Sequence, residues 1–237
     1  MIPLYLKSEN FKAPGDALYY LVAANGVFFV KQAGLFTAVT KAHNVAGLEI
    51  ETPALSLAIP KLPRTLMEKV YGFFDVVYRQ WDGEAVAFFY YSPSLEQFHV
   101  DVPPQTLFRH RTHRGWRTDS RLEYGSLPRP DGFLWLGDVH SHGDLRAFFS
   151  DTDDQDDGQD GLRIVMGQLD RPTPDVSVSF VTGGTRFELG AEDVIEDFSR
   201  LRPVAPPPGW LQRISIRCKG VNGPDRYGGW DGNEKHS

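Results

Sequence analysis

His140 and His142 stand two residues apart, and Ser150 and Asp153 follow at a spacing of three. Two imidazoles, a hydroxyl and a carboxylate are the parts of a three-ligand metal site with one open position. The apolar run Phe133-Leu134-Trp135-Leu136 leads into the first histidine and reads as a buried strand. In an extended chain, residues i and i+2 share a face, so both imidazoles can meet one ion while Ser141 turns away. Ser150 and Asp153 have the i,i+3 spacing of a helix and belong near its first turn. Two neutral imidazoles and one carboxylate suit a catalytic Zn²⁺ that keeps water in its fourth position. Such an ion brings the pKa of that water down to about 7.

Each half of the pattern also has an ordinary reading. His-Ser-His alone fits a surface loop, and Ser-x-x-Asp is a helix N-cap pattern. Capping and ligation can coexist, because a cap fixes the geometry that presents Asp153. The run Asp151, Asp153, Asp154, Asp156, Asp157, Asp160 lacks the glycine and glutamate register of an EF-hand loop. It reads instead as an acidic helix start, favourable with the helix dipole.

The elements around the site follow from periodicity. Residues 66–78 recur apolar at helical spacing, and Trp81-Asp82-Gly83 closes them. Glu84 then opens the apolar run Ala85 to Tyr91. Residues 162–167, 176–181 and 187–189 read as strands, and 191–201 as a closing helix. Upstream, Ala17–Ala24 and Val27–Lys31 flank Asn25-Gly26, the strongest short hairpin cue, and 35–40 reads as a further strand. This reading divides the chain into a β-rich segment over 1–60, a central domain over 61–202 and a Pro/Gly-rich tail over 203–237. The tail opens on Pro203 to Trp210, read as a stiff extended linker. Trp210, Tyr227 and Trp230 are its candidates for docking on a partner.

Composition narrows the class. A hydrophobic content of 41% supplies core for a globular chain, and no apolar run approaches the length of a membrane span. The start, Met1 to Lys7, has no secretory pattern. One cysteine, Cys218, excludes an internal disulfide framework and points to a reducing, cytoplasmic setting. Arg109, His110, Arg111, His113, Arg114, Arg117 and Arg121 crowd a polar segment read as a loop between strands. With a net charge of -6 overall, this local basic patch argues for an acidic protein surface over bulk nucleic acid.

The order His140-x-His142-x7-Ser150-x-x-Asp153, behind a hydrophobic strand, resembles the signature of the JAMM/MPN metalloproteases, also called JAB domains. Val139-His140-Ser141-His142-Gly143, continuing through Ala147-Phe148-Phe149-Ser150, is similar to bacterial members. The resemblance implies an α/β fold, a curved mixed sheet flanked by helices, here with an additional β-rich N-terminal segment. It implies one Zn²⁺ held by His140, His142 and Asp153, with Ser150 steadying the oxyanion. It also implies a glutamate base on an earlier strand, after the first helix. Glu84 fits that order, although bulky aromatics follow it where the family often has small residues. Glu96, in a turn, and Glu123, in a polar loop, are the alternatives.

The implied activity is proteolysis after the C-terminus of a ubiquitin-like or sulfur-carrier-like protein, by deconjugation or precursor processing. E1-like and E2-like enzymes of the same operon are the implied partners, in antiviral defence or another such cassette. Arg109, Arg111, Arg114 and Arg117 would lie on a substrate-docking loop. A non-catalytic MPN scaffold, and nucleic-acid binding through 109–121, are the competing readings.

Overall fold

The computed structural model describes residues 2–33, 35–113, 115–149, 159–219 and 226–228, in two compact units, Met1–Leu55 and Ser56–Ser237. The first unit is a four-stranded sheet of β1 (Leu4–Leu6), β2 (Leu18–Ala23), β3 (Gly26–Ala33) and β4 (Phe36–Lys41), in that order. β1 runs parallel to β2, and the other pairs are antiparallel. The expected hairpin is present: Ala23 pairs with Gly26, whose φ of 128° favours a residue without a Cβ. Tyr19, Leu21 and Val30 form its small core, with Tyr5, Phe11 and Phe28 against them.

The second unit begins with the one long helix among the described residues, α1 (Arg64–Trp81). Met67, Val70, Tyr71, Phe73, Phe74, Val77 and Trp81 recur every three or four positions and bury one wide face. Asp82 stops the helix in a left-handed conformation, with φ 55° and its N–H bonded to Tyr78 O at 2.7 Å. That stop delivers Glu84 to the start of the next strand.

Six strands follow in the sheet beside α1: β5 (Val86–Ser92), β6 (Gln97–Asp101), β9 (Leu134–Ser141), β10 (Gly161–Gly167), β11 (Asp175–Thr182) and β12 (Thr185–Leu189). Their order is β12-β11-β10-β9-β5-β6, and only β9 and β10 are parallel. Ala85, Ala87 and Phe89 join the core with α1. Val86, Phe88 and Tyr90 face the other way, against Leu122, Leu127, Phe133 and Trp135. Burial on both faces accounts for the unbroken aromatic run that departs from the family's small residues.

A second sheet contains β7 (Gln105–Thr112), β8 (Gly115–Tyr124), β13 (Ile214–Lys219) and β14 (Arg226–Gly228). Its order is β14-β13-β7-β8. The molecule is therefore α/β, with mixed sheets dominant and helices few, as the resemblance implies.

Three expectations need correction. The 109–121 segment is not a loop but most of the antiparallel β7–β8 hairpin. Its strands escape detection because both faces carry charge: Arg109 and Arg111 alternate with His110, which pairs with Asp119 at 2.6 Å, and Arg121 pairs with Glu123. Arg121 and Arg217 stack 4.8 and 5.5 Å from the ring centroid of Phe108. The closing helix over 191–201 breaks into α2 (Ala191–Val194) and a 3₁₀ turn at Phe198–Arg200. Ile195 leaves the helix to bridge Leu62, and both side chains are fully buried.

The third concerns the tail: Trp210 and Ile214 are buried in the large core, with Leu211 and Ile216 packed against it, while 203–207 has no regular secondary structure. A short helix α3 (Pro208–Leu211) seats Trp210 edge-on against Phe73 at 5.8 Å, and β13 adds in parallel to β7. Trp210 thus docks on its own domain, not on a partner. Val204 N–H bonds Glu68 O of α1 at 3.1 Å, and a Cβ on Gly72 would meet the Val204 carbonyl oxygen at 1.7 Å. Gly72→Ala should therefore cost about 1–3 kcal/mol of stability through overpacking. Urea unfolding checks this, as a lower midpoint at constant slope.

Candidate metal centre

β9 ends at the two histidines. On β9, a bulge at Leu136 precedes Gly137, where Leu162 O lies 1.9 Å from an ideal Cβ position. Only glycine lets β10 come this close to β9. From Gly137 onward the β9–β10 register is regular, pairing His140 with Val165 and Ser141 with Met166. Past the strand, His142 N–H bonds Met166 O at 2.9 Å, so the second imidazole keeps the strand's direction.

The two rings converge. His140 Nε2 and His142 Nε2 are 3.1 Å apart, with ring centroids at 5.0 Å and an angle of 45°. Phe148 packs edge-on against His142 at 4.8 Å, and His142 is 8% exposed. Two imidazole nitrogens bound to one Zn²⁺ at about 2.0–2.1 Å in tetrahedral geometry would be separated by about 3.3 Å. The pair therefore fits two corners of such a site. Among the described residues no group of three His, Cys, Asp or Glu side chains comes together. Ser150 and Asp153 lie outside the described residues, as does the helix start expected there.

Glu84 is brought to the same face. The β5–β9 ladder pairs Val86 with His140. One step further, Ser141 N–H bonds Ala85 O, and Ala85 N–H bonds Ser141 Oγ, each at 2.9 Å. Continued once more, this register sets Glu84 opposite His142, and the pleat's alternation puts it on the side of both imidazoles. Ser141 is fully buried on the opposite side, among core residues. Glu84 itself is half-buried.

The alternatives lie elsewhere. Glu96 sits at the β5–β6 turn with φ 52°. That is the Leu134 end of β9, about 20 Å from His140 at the usual rise per residue. Glu123 is on β8 in the second sheet, ion-paired with Arg121.

The arginines separate as well. Arg109 is half-buried on β7, Arg111 is exposed near the hairpin tip, and Arg117 pairs with Asp82 at 3.1 Å. Arg114 lies outside the described residues. The base of the hairpin touches the turn before Glu84, because Leu107 and Thr118 lie 3.0–3.3 Å from an ideal Cβ on Gly83. Tyr78 lines the far side of the histidine turn, 3.3 Å from an ideal Cβ on Gly143. Burial pushes its phenol up, with Asp144, Asp170 and Asp82 adding to the shift, so it is a neutral O–H at physiological pH.

Sequence reasoning missed Gln105, a buried residue that contacts Val86 through both atoms of its amide. No local signal reveals it, since its partner lies 19 residues earlier.

No helix among the described residues is long and apolar enough to cross a membrane. Residues 77–190 match the family described as prokaryotic homologs of the JAB domain. No curated protein and no solved structure matches the chain.

Proposed function

The chain belongs to the JAB/MPN family through residues 77–190, and from that membership we propose that it is a zinc-dependent protease or isopeptidase. Its substrate is the C-terminal bond of a ubiquitin-like or sulfur-carrier-like protein, cut by deconjugation or precursor processing in a bacterial ubiquitination-like pathway. The observation that carries this reading is the convergence of His140 and His142 Nε2 at 3.1 Å, with Glu84 two residues before Val86, the strand partner of His140.

In this reading His140, His142 and Asp153 hold the ion. When bound, Zn²⁺ supplies Lewis acidity toward the scissile carbonyl and makes water acidic enough to ionise near neutral pH. Glu84 takes a proton from the attacking water as the C–O bond forms, then returns it to the amine as the C–N bond breaks. The Ser150 hydroxyl donates to the oxyanion of the tetrahedral intermediate. In this reading Arg109 and Arg111, on one face of the β7–β8 hairpin, meet the body of the substrate, while Arg117 lies on the other face opposite His110 and pairs with Asp82. The pairing of His110, Arg117 and Arg121 with acids supports protein recognition over a free phosphate-binding patch.

The test is incubation of the zinc-loaded full chain with linear fusions, each a Gly-Gly-ended ubiquitin-like or sulfur-carrier-like protein ahead of a reporter. Intact mass should show one hydrolysed peptide bond directly after the final glycine. Phenanthroline should stop the cut, and alkylation of Cys218 should leave it unchanged. Purified protein that takes up no zinc, or cleavage indifferent to chelation, would overturn the proposal.

A further inference from the structure

We propose that Gln105 is a positioning residue for Glu84, acting through a two-point hold on the backbone of Val86; this rests on the reading of Glu84 as the base. Val86 N–H donates to Gln105 Oε1 at 2.9 Å, and Gln105 Nε2 donates to Val86 O at 2.9 Å. The second Nε2 hydrogen reaches Pro103 O at 3.2 Å, so both of its donors are used. These partners fix the amide's orientation, since an N–H can only be met by Oε1 and a carbonyl only by Nε2. The side chain is 2% exposed.

The hold falls where the sheet is incomplete. Ala85 bonds toward β9, so the N–H and C=O of Val86 point to the other side of β5. The neighbour there, β6, begins its pairing only at Phe88. Without Gln105, both polar groups of Val86 would be buried and unmet, next to the residue pair that carries Glu84. Ser141 holds Ala85 from one flank and Gln105 holds Val86 from the other. The peptide leading into Glu84 is thereby set against both imidazoles.

Gln105 also belongs to the second sheet through its own backbone. Its N–H bonds Arg213 O at 2.9 Å, and it pairs with Ile214 and with Tyr124. The position of the β7–β8 hairpin and the position of Glu84 are thus joined through one side chain. A shift of the hairpin on a bound protein would be felt at Glu84.

The test compares zinc-loaded full-length parent with Gln105→Leu. Crystal structures should show the Glu84 carboxylate displaced by about 1 Å or more while both imidazoles stay in place, and zinc affinity by chelator competition should be unchanged. On a fusion that the parent cuts, kcat should fall about 100-fold at constant KM, the scale expected for such a misplacement. In a Glu84→Gln background, Gln105→Leu should change kcat by less than about 2-fold, because the two act as one unit. A superimposable Glu84, or an equal loss in both backgrounds, overturns the proposal. Should Gln105→Leu fail to fold, Gln105→Glu, which keeps the acceptor and removes the donor, takes its place in each arm. If no fusion is cut, the cleavage reading fails, while the crystal comparison still decides the hold on Val86.

Discussion

Glu84→Gln is expected to lower kcat by about three orders of magnitude, within the range for loss of a general base, while one zinc per chain remains bound. The expectation follows from the strand register. Continued two residues past the Val86–His140 pair, that register would set Glu84 opposite His142, and Glu84 stands outside the trio expected to hold the ion. Glutamine keeps the shape and the hydrogen-bonding oxygen but cannot take a proton. Stability should hardly move, since the residue is only half-buried and its backbone partners are untouched. Single-turnover cleavage together with metal analysis checks both parts. The controls are sharp: Glu96→Gln and Glu123→Gln should leave kcat within about 2-fold, one carboxylate being at the far end of β5 and the other already paired with Arg121. Loss of activity in either control, with Glu84→Gln still active, would move the base.

His142→Ala should abolish both zinc binding and turnover, a loss limited only by assay background. The imidazole is one of the two whose Nε2 atoms meet at 3.1 Å, and removing it leaves His140 without its facing nitrogen. The neighbouring fold should survive, because the links of residue 142 to Met166 and Leu145 are made by its backbone. Thermal melts distinguish ligation from packing. Zinc at a hundred times its dissociation constant should stabilise the parent by about 2.7 kcal/mol and the variant not at all. A zinc-dependent rise in Tm that persists in His142→Ala would remove this residue from the ligand set.

The legible parts of this molecule are those with local signals. The strand before His140, the Asn25-Gly26 hairpin, the helix over 64–81 and the placement of Glu84 just after its stop can all be read from spacing. The apolar stripe of α1 and the left-handed Asp82 are properties of short windows. The β7–β8 hairpin was not legible, because alternation there is between arginine and threonine or aromatic groups, not between polar and apolar ones. The break at Ile195 depends on Leu62, far away in sequence. The Pro-rich stretch around 203–208 looks like a spacer until Gly72 is seen to leave room for Val204. Gln105 hides for the same reason: a glutamine has no periodicity to betray what its amide grips. Long-range partners decide these elements, and composition over a window contains none of them.

The insertion of β13 beside β7, with Trp210 against Phe73, has a consequence for biosynthesis. Residues 210–219 are translated after every other contributor to the large core. While they remain inside the ribosome, Phe73 lacks its Trp210 contact and the edge of β7 that β13 covers is bare. A nascent chain paused at that stage would be a client for chaperones.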